Sequence, residues 1–239
     1  TKSTMIKNGL FSCFLGLAIF SVQAQELSNF EKASETLNAV YTHYAVPGTQ
    51  LLREHYPFDD QYKADYLGGG ENSHKANPYA YLWPYSGSLS AQVARYEAEP
   101  SVAIKKEIDG NVLVGLAAYY DTRAPHGYAS YVNTAPLSDR FYDDNVWLGI
   151  DFTDLYLLTK EPQYLHKAKE IWSFVASGMD EKLGGGIYWC EQKKESKNTC
   201  SNAPSVVYLL KLYEATQEEQ YLREAKALYL WTQKSLQDP

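Results

Sequence analysis

One stretch of this chain recurs at a fixed interval, and that repeat limits the fold more than any other feature. Leu155-Tyr156, Thr159, Glu161, Gln163-Tyr164-Leu165, Ala168-Lys169 and Trp172 return 57 residues later as Leu212-Tyr213, Thr216, Glu218, Gln220-Tyr221-Leu222, Ala225-Lys226 and Tyr229. Each copy ends one apolar-periodic run, passes through a short polar turn and opens the next run, which is the signature of a helical hairpin. Tyr96-Glu97-Ala98 reads as an earlier, degenerate copy. Hairpins that recur must stack, because none can bury its apolar face alone. Solenoid repeats run to roughly 34–47 residues, so a longer unit with Gly-rich loops favours a closed toroid of helical hairpins with a cleft at one end. The fold class expected is therefore all-α, an α/α toroid.

The periodicity predicts helices over 27–44, with Ser28 as N-cap, and over 86–97, 102–120, 142–158, 162–177, 205–215 and 219–235. Pro47-Gly48 ends the first. Residues 56–78, rich in Gly, Asp, Asn and Pro around Gly68-Gly69-Gly70, read as a loop, and only 186–190 reads as a short extended piece. Six hairpins need about twelve helices of roughly 11–15 residues plus loops, more than the chain provides, so it is read as part of a longer toroid.

Residues 1–24 read as a cleavable signal peptide: a basic start at Met5-Ile6-Lys7, an apolar run from Leu10 to Val22 and small residues before Gln25. Thr1 to Thr4 precede the expected start at Met5. The run is short for a membrane span, and Cys13 lies inside it rather than after it, so a soluble exported form is favoured over a lipid-anchored one. The expected destination is the periplasm, the cell surface or the medium. Residues 25–239 then form one domain, expected to act as a monomer. Losing Lys2 and Lys7 with the leader takes the net charge from −7 to −9. That balance argues against nucleic acid, which needs clustered Lys and Arg. Cys190 and Cys200, the two cysteines left, flank a polar loop and form a candidate disulfide in an export setting; two unpaired thiols are the alternative. The five His are scattered without ligand spacing, so neither a metal nor a cofactor is expected.

Chemistry concentrates at Tyr142-Asp143-Asp144-Asn145-Val146-Trp147, where a helix should begin. Side-by-side carboxylates repel, pushing one pKa up and the other down, and such a split serves acid/base work on a glycosidic bond. Successive helical residues point about 100° apart, which places the two carboxyls about 5–6 Å from each other. A retaining glycosidase needs about 5–5.5 Å and an inverting one about 6.5–9.5 Å. The plainer reading is a pair of Asp residues capping a helix. Asp151, two turns further on, reads as a cleft residue or as a structural hydrogen-bond partner. Aromatic residues are plentiful, with 21 Tyr and five Trp, which suits sugar stacking and a packed helical core alike. Candidate substrate contacts are Tyr142, Asn145, Trp83, Tyr188, Trp189, Asn198 and Asn202. For Tyr188 and Trp189 the alternative is a turn followed by two core aromatics, and for Asn198 and Asn202 it is capping of the helix that starts near Ser205.

The motifs Tyr142-Asp143-Asp144-Asn145-x-Trp147, Leu183-Gly184-Gly185-Gly186-Ile187-Tyr188-Trp189 and Lys197-Asn198-x-Cys200-Ser201-Asn202-Ala203, with the Gln220-Tyr221-Leu222 helix start, resemble glycoside hydrolase family 76. The resemblance runs from about Asn38 to the end. It implies an (α/α)6 barrel, of which this chain lacks the C-terminal part, and endo-acting, retaining cleavage of α-1,6-mannan. It also implies Asp143 as nucleophile and Asp144 as general acid/base. Two rivals stand beside it: a non-catalytic glycan-binding helical-repeat protein, and a toroid hydrolase or transglycosylase acting on another glycan.

Overall fold

The computed structural model describes residues 26–62 and 77–238. The leader expected over 1–24 lies outside the described residues, as does 63–76 of the 56–78 loop, including Gly68-Gly69-Gly70. The helices are α1 (Asn29–His43), α2 (Leu82–Ala98), α3 (Val102–Glu107), α4 (Leu113–Leu116), α5 (Tyr142–Thr159), α6 (Pro162–Ala176), α7 (Thr199–Thr216) and α8 (Glu219–Leu236). Among the described residues no helix is long and apolar enough to cross a membrane.

Two kinds of helix alternate. α6 and α8 carry one buried stripe each, Tyr164, Ala168, Ile171, Trp172 and Val175 in one and Tyr221, Ala225 and Leu228 in the other. α5 is buried on nearly every side from Asp144 to Leu155. A helix buried all round belongs inside, and one with a single stripe covers it. The pairings agree: α5 packs on α2, α6 and α7, while α8 packs on α7. An inner row α2–α5–α7 is thus backed by outer helices, the layout of an α/α toroid. Gly149 permits the α5–α7 approach, since a Cβ there would lie 2.0 Å from the Tyr208 ring.

Helix ends follow local chemistry. Ser28 and Glu31 form a capping box at α1. α5 and α7 end at Lys160 and Gln217, both left-handed, and Pro162 opens α6 from its first turn. The helix expected over 102–120 is broken: Ile108–Val112, around Gly110, widens into a π turn before α4, and Ala117–Tyr119 tightens to 3-10. A two-residue hairpin, β1 (Tyr120–Asp121) with β2 (Gly127–Tyr128), follows and was not expected. α7 begins six residues before the expected start at Ser205, with Pro204 inside it. The extended piece expected over 186–190 forms isolated bridges instead, Ile187 with Met179 and Cys190 with Phe141.

Candidate active site

Asp143 and Asp144 occupy the first turn of α5, and neither caps it: the N-cap is Phe141, which lends no side-chain bond. Two surface segments frame this turn. The β1–β2 hairpin is latched by Asn145, whose Oδ1 accepts from Tyr128 N (2.8 Å) while Nδ2 donates to Tyr128 O and Phe141 O (both 2.9 Å). The Gly-rich loop is latched one repeat later by Asn202, which bonds Ile187 N (2.7 Å), Ile187 O (2.9 Å) and Asn198 O (2.8 Å). Arg140, 1% exposed, braces both sides of the turn: it makes a paired bond to Glu191 and donates to the carbonyls of Arg123 and Pro125. Tyr142 N donates to Trp189 O at 2.9 Å, tying the helix start to the loop.

The two carboxyls meet different surroundings. Burial raises the pKa of Asp143, but donors oppose the rise: the Trp189 indole at 3.2 Å, the Cys200 thiol, and the backbone N–H groups of Asp143 and Asp144. Asp144 is more deeply buried. Desolvation holds its pKa well above the usual carboxylate range, and the neighbouring Asp143 charge adds to it. The expected split into one raised and one lowered value is therefore corrected: both rise, because both are desolvated, and Asp144 rises further for want of donors. Of the two, Asp144 is the carboxyl that burial pushes further toward the protonated form.

The other candidates divide sharply by burial. Tyr142 is fully buried and stacks on Phe174, with ring centroids 4.9 Å apart. Asn145 and Asn202 are fully buried, with their amides spent on backbone groups. Tyr188 is buried with its hydroxyl on Asp180 at 3.0 Å. All four are corrected from substrate contacts to supports. Asn198 is the partly exposed N-cap of α7. Trp83 and Trp189 are 63% and 40% exposed, and Trp147, not among the expected contacts, is 43% exposed. Trp147 lies one turn along α5 from Asp144, so its spacing could have revealed it. Trp83, Ser86, Gly87, Ser90 and Trp147 line a groove of about 390 Å³ between α2 and α5. Beneath it Ser90 Oγ donates to Asp151 at 2.6 Å, and burial pushes the Asp151 pKa up to about 7.

The Cys190–Cys200 disulfide is also corrected. Cys190 is buried with Sγ 3.9 Å from Gln192 Oε1, while Cys200 is exposed on α7 beside Asp143, and both are free. Cys200 and Ser201 fall 57 residues after Asp143 and Asp144, so the second repeat has the same latch without the carboxylates. Among the described residues no three His, Cys, Asp or Glu side chains are gathered as a metal would need.

Inner helices backed by outer covering helices define part of an α/α toroid, with Asp143 and the buried Asp144 in the first turn of one inner helix. The chain belongs to glycosyl hydrolase family 76, whose model matches residues 55–239. It is similar to a glycoside hydrolase family 76 mannosidase from Bacteroides thetaiotaomicron, at 32% identity and a TM-score of 0.72, over 87% of this chain and 54% of that one. It is also similar to an inactive α-1,6-mannanase variant from Salegentibacter sp., bearing two consecutive Asp-to-Asn changes and bound to α-1,6-mannotriose. There the identity is 25% and the TM-score 0.64, over 88% and 52% of the chains. A cellobiose 2-epimerase from Spirochaeta thermophila, 15% identical with a TM-score of 0.59 over 85% and 54%, shares the fold. No curated protein matches. The chain spans about half the length of these solved structures.

Proposed function

We propose that this chain carries the catalytic pair of an exported endo-α-1,6-mannanase that works with retention of configuration. One observation carries the reading: of two adjacent carboxyls, Asp143 accepts the Trp189 indole N–H at Oδ2, while Asp144 is the more deeply buried and no donor opposes its burial. An ionised Asp143 oxygen attacks the anomeric carbon while Asp144 gives its proton to the departing glycosidic oxygen, and that C–O bond breaks. A water then attacks the anomeric carbon of the glycosyl–Asp143 ester. Its proton passes to Asp144 and Asp143 leaves as carboxylate, so the enzyme is restored. The first helical turn also places positive dipole beside the Asp143 charge.

The Salegentibacter mannanase supports the site, since replacing two consecutive aspartates gives an inactive protein that holds α-1,6-mannotriose. The exposed faces of Trp83 and Trp147 across the α2–α5 groove suit pyranose rings, with Trp189 and Asn198 at the rim. The test is incubation of the full-length protein with linear α-1,6-mannan and chromatography of the products. A ladder of mannooligosaccharides is expected. Binding to mannan without any release would favour the non-catalytic glycan binder, and release only from other glycans would favour the second rival.

A further inference from the structure

Lys197 lies just before α7 with its side chain fully buried. Its Nζ donates to the carbonyls of Asp180 (3.0 Å), Lys182 (2.8 Å) and Gly185 (2.8 Å) and to Asp180 Oδ1 (2.7 Å). The face of Tyr188 closes the shell, 4.6 Å away. Four oxygens and an aromatic face around one nitrogen form the coordination shell of a free ammonium ion, here supplied by a tethered one. The loop wrapped around it has little strength of its own. Leu183, Gly184, Gly185 and Gly186 all have positive φ, and three carbonyls pointing at one spot repel one another without a cation between them. Trp231 and Asn202 hold the loop elsewhere, at Leu183 O and Ile187.

From this shell to the catalytic pair is a short path. Asp180 Oδ2 accepts from Tyr188, and Trp189 N donates to the carbonyl of Ser196, the residue before Lys197 (3.1 Å). The Trp189 indole then reaches Asp143. We infer that Lys197 is a positioning residue, a tethered cation that sets the Gly-rich loop and through it the Trp189 indole against Asp143. The inference rests on Asp143 being the nucleophile.

Lys197→Met, Lys197→Ala, Trp189→Phe and Lys197→Met/Trp189→Phe in the full-length protein test it, read by the indole N–H signals in proton–nitrogen NMR and by kinetics on α-1,6-mannotetraose. Trp189→Phe assigns the signal. In Lys197→Met that signal should shift and broaden, with kcat down about tenfold or more and KM changed less than about threefold. The double variant should lose no more than the worse single one, because both act through one contact. Ammonium or methylammonium, but not tetramethylammonium, should restore the signal in Lys197→Ala. An unmoved indole signal in Lys197→Met, losses that multiply in the double variant, or failure of both amines to restore Lys197→Ala would each overturn it. The amine test stands even if Lys197→Met does not fold. The indole signal also reads the contact in the absence of turnover, so a wild type that leaves mannan intact would count against the proposed activity alone.

Discussion

Asn145 and Asn202, 57 residues apart, make the same three bonds: one accepted from a loop N–H, one given to the same residue's carbonyl, and one given to the helix N-cap carbonyl. Each holds a rim segment to the first turn of an inner helix. Removing either amide leaves buried backbone groups unpaired, which costs roughly 1–3 kcal/mol per group. Asn145→Ala and Asn202→Ala should each lower unfolding free energy by about 2–4 kcal/mol in denaturant melts. A loss below about 0.5 kcal/mol in both would contradict the latch.

Asp143→Asn and Asp144→Asn should separate the two roles. Each should reduce mannan turnover by about a thousandfold, within the usual range for a lost acid/base group. A mannoside with a good aryl leaving group needs no proton, so Asp144→Asn should still form the glycosyl–enzyme on it, and added azide should speed release. Asp143→Asn should gain from neither. Equal rescue of both variants counts against the assignment.

Asp151 predicts a pH dependence of stability. Its pKa is near 3.8 when exposed and about 7 in the fold, chiefly through burial. Between those values the folded form binds a proton that the unfolded form has lost, so stability falls as pH rises. The contribution is complete below about pH 4 and gone above about pH 7, on the order of 4 kcal/mol in all. Asp151→Asn keeps an acceptor for Ser90 and should flatten this part of the profile. Denaturant melts of both proteins from pH 5 to 8 check it, and parallel profiles would argue against it.

The toroid was legible because the 57-residue period is a direct record of stacked hairpins. Helix limits failed where backbone chemistry was local: the chain widens into a π turn around Gly110 after α3, and α7 starts at Thr199 and runs through Pro204, ahead of the expected start at Ser205. The Asp143-Asp144 pair stood out in the sequence by its adjacency. Its supports did not, because Asn145 and Asn202 look like sugar ligands until their amides are seen bonded to backbone. Lys197 sat in the motif without a role, since the carbonyls around it come from a loop 12–17 residues upstream. The sign of the Asp143 shift depended on burial, which spacing does not encode.

Trp83 and Trp147 face the α2–α5 groove from opposite helices. Trp83→Ala and Trp147→Ala should each weaken mannotetraose binding to the Asp143→Asn protein about fivefold to tenfold, the scale of one aromatic stacking contact. Calorimetry reads this without turnover. Unchanged affinity in both would remove the groove from the substrate path.

Retention is the central claim, and the configuration of the first-formed product tests it most directly. Proton NMR of the full-length protein acting on an α-1,6-mannooligosaccharide, recorded before mutarotation, should show the α anomer of the new reducing end appearing first. First appearance of the β anomer would mean single displacement by water, and Asp143 could not be the nucleophile.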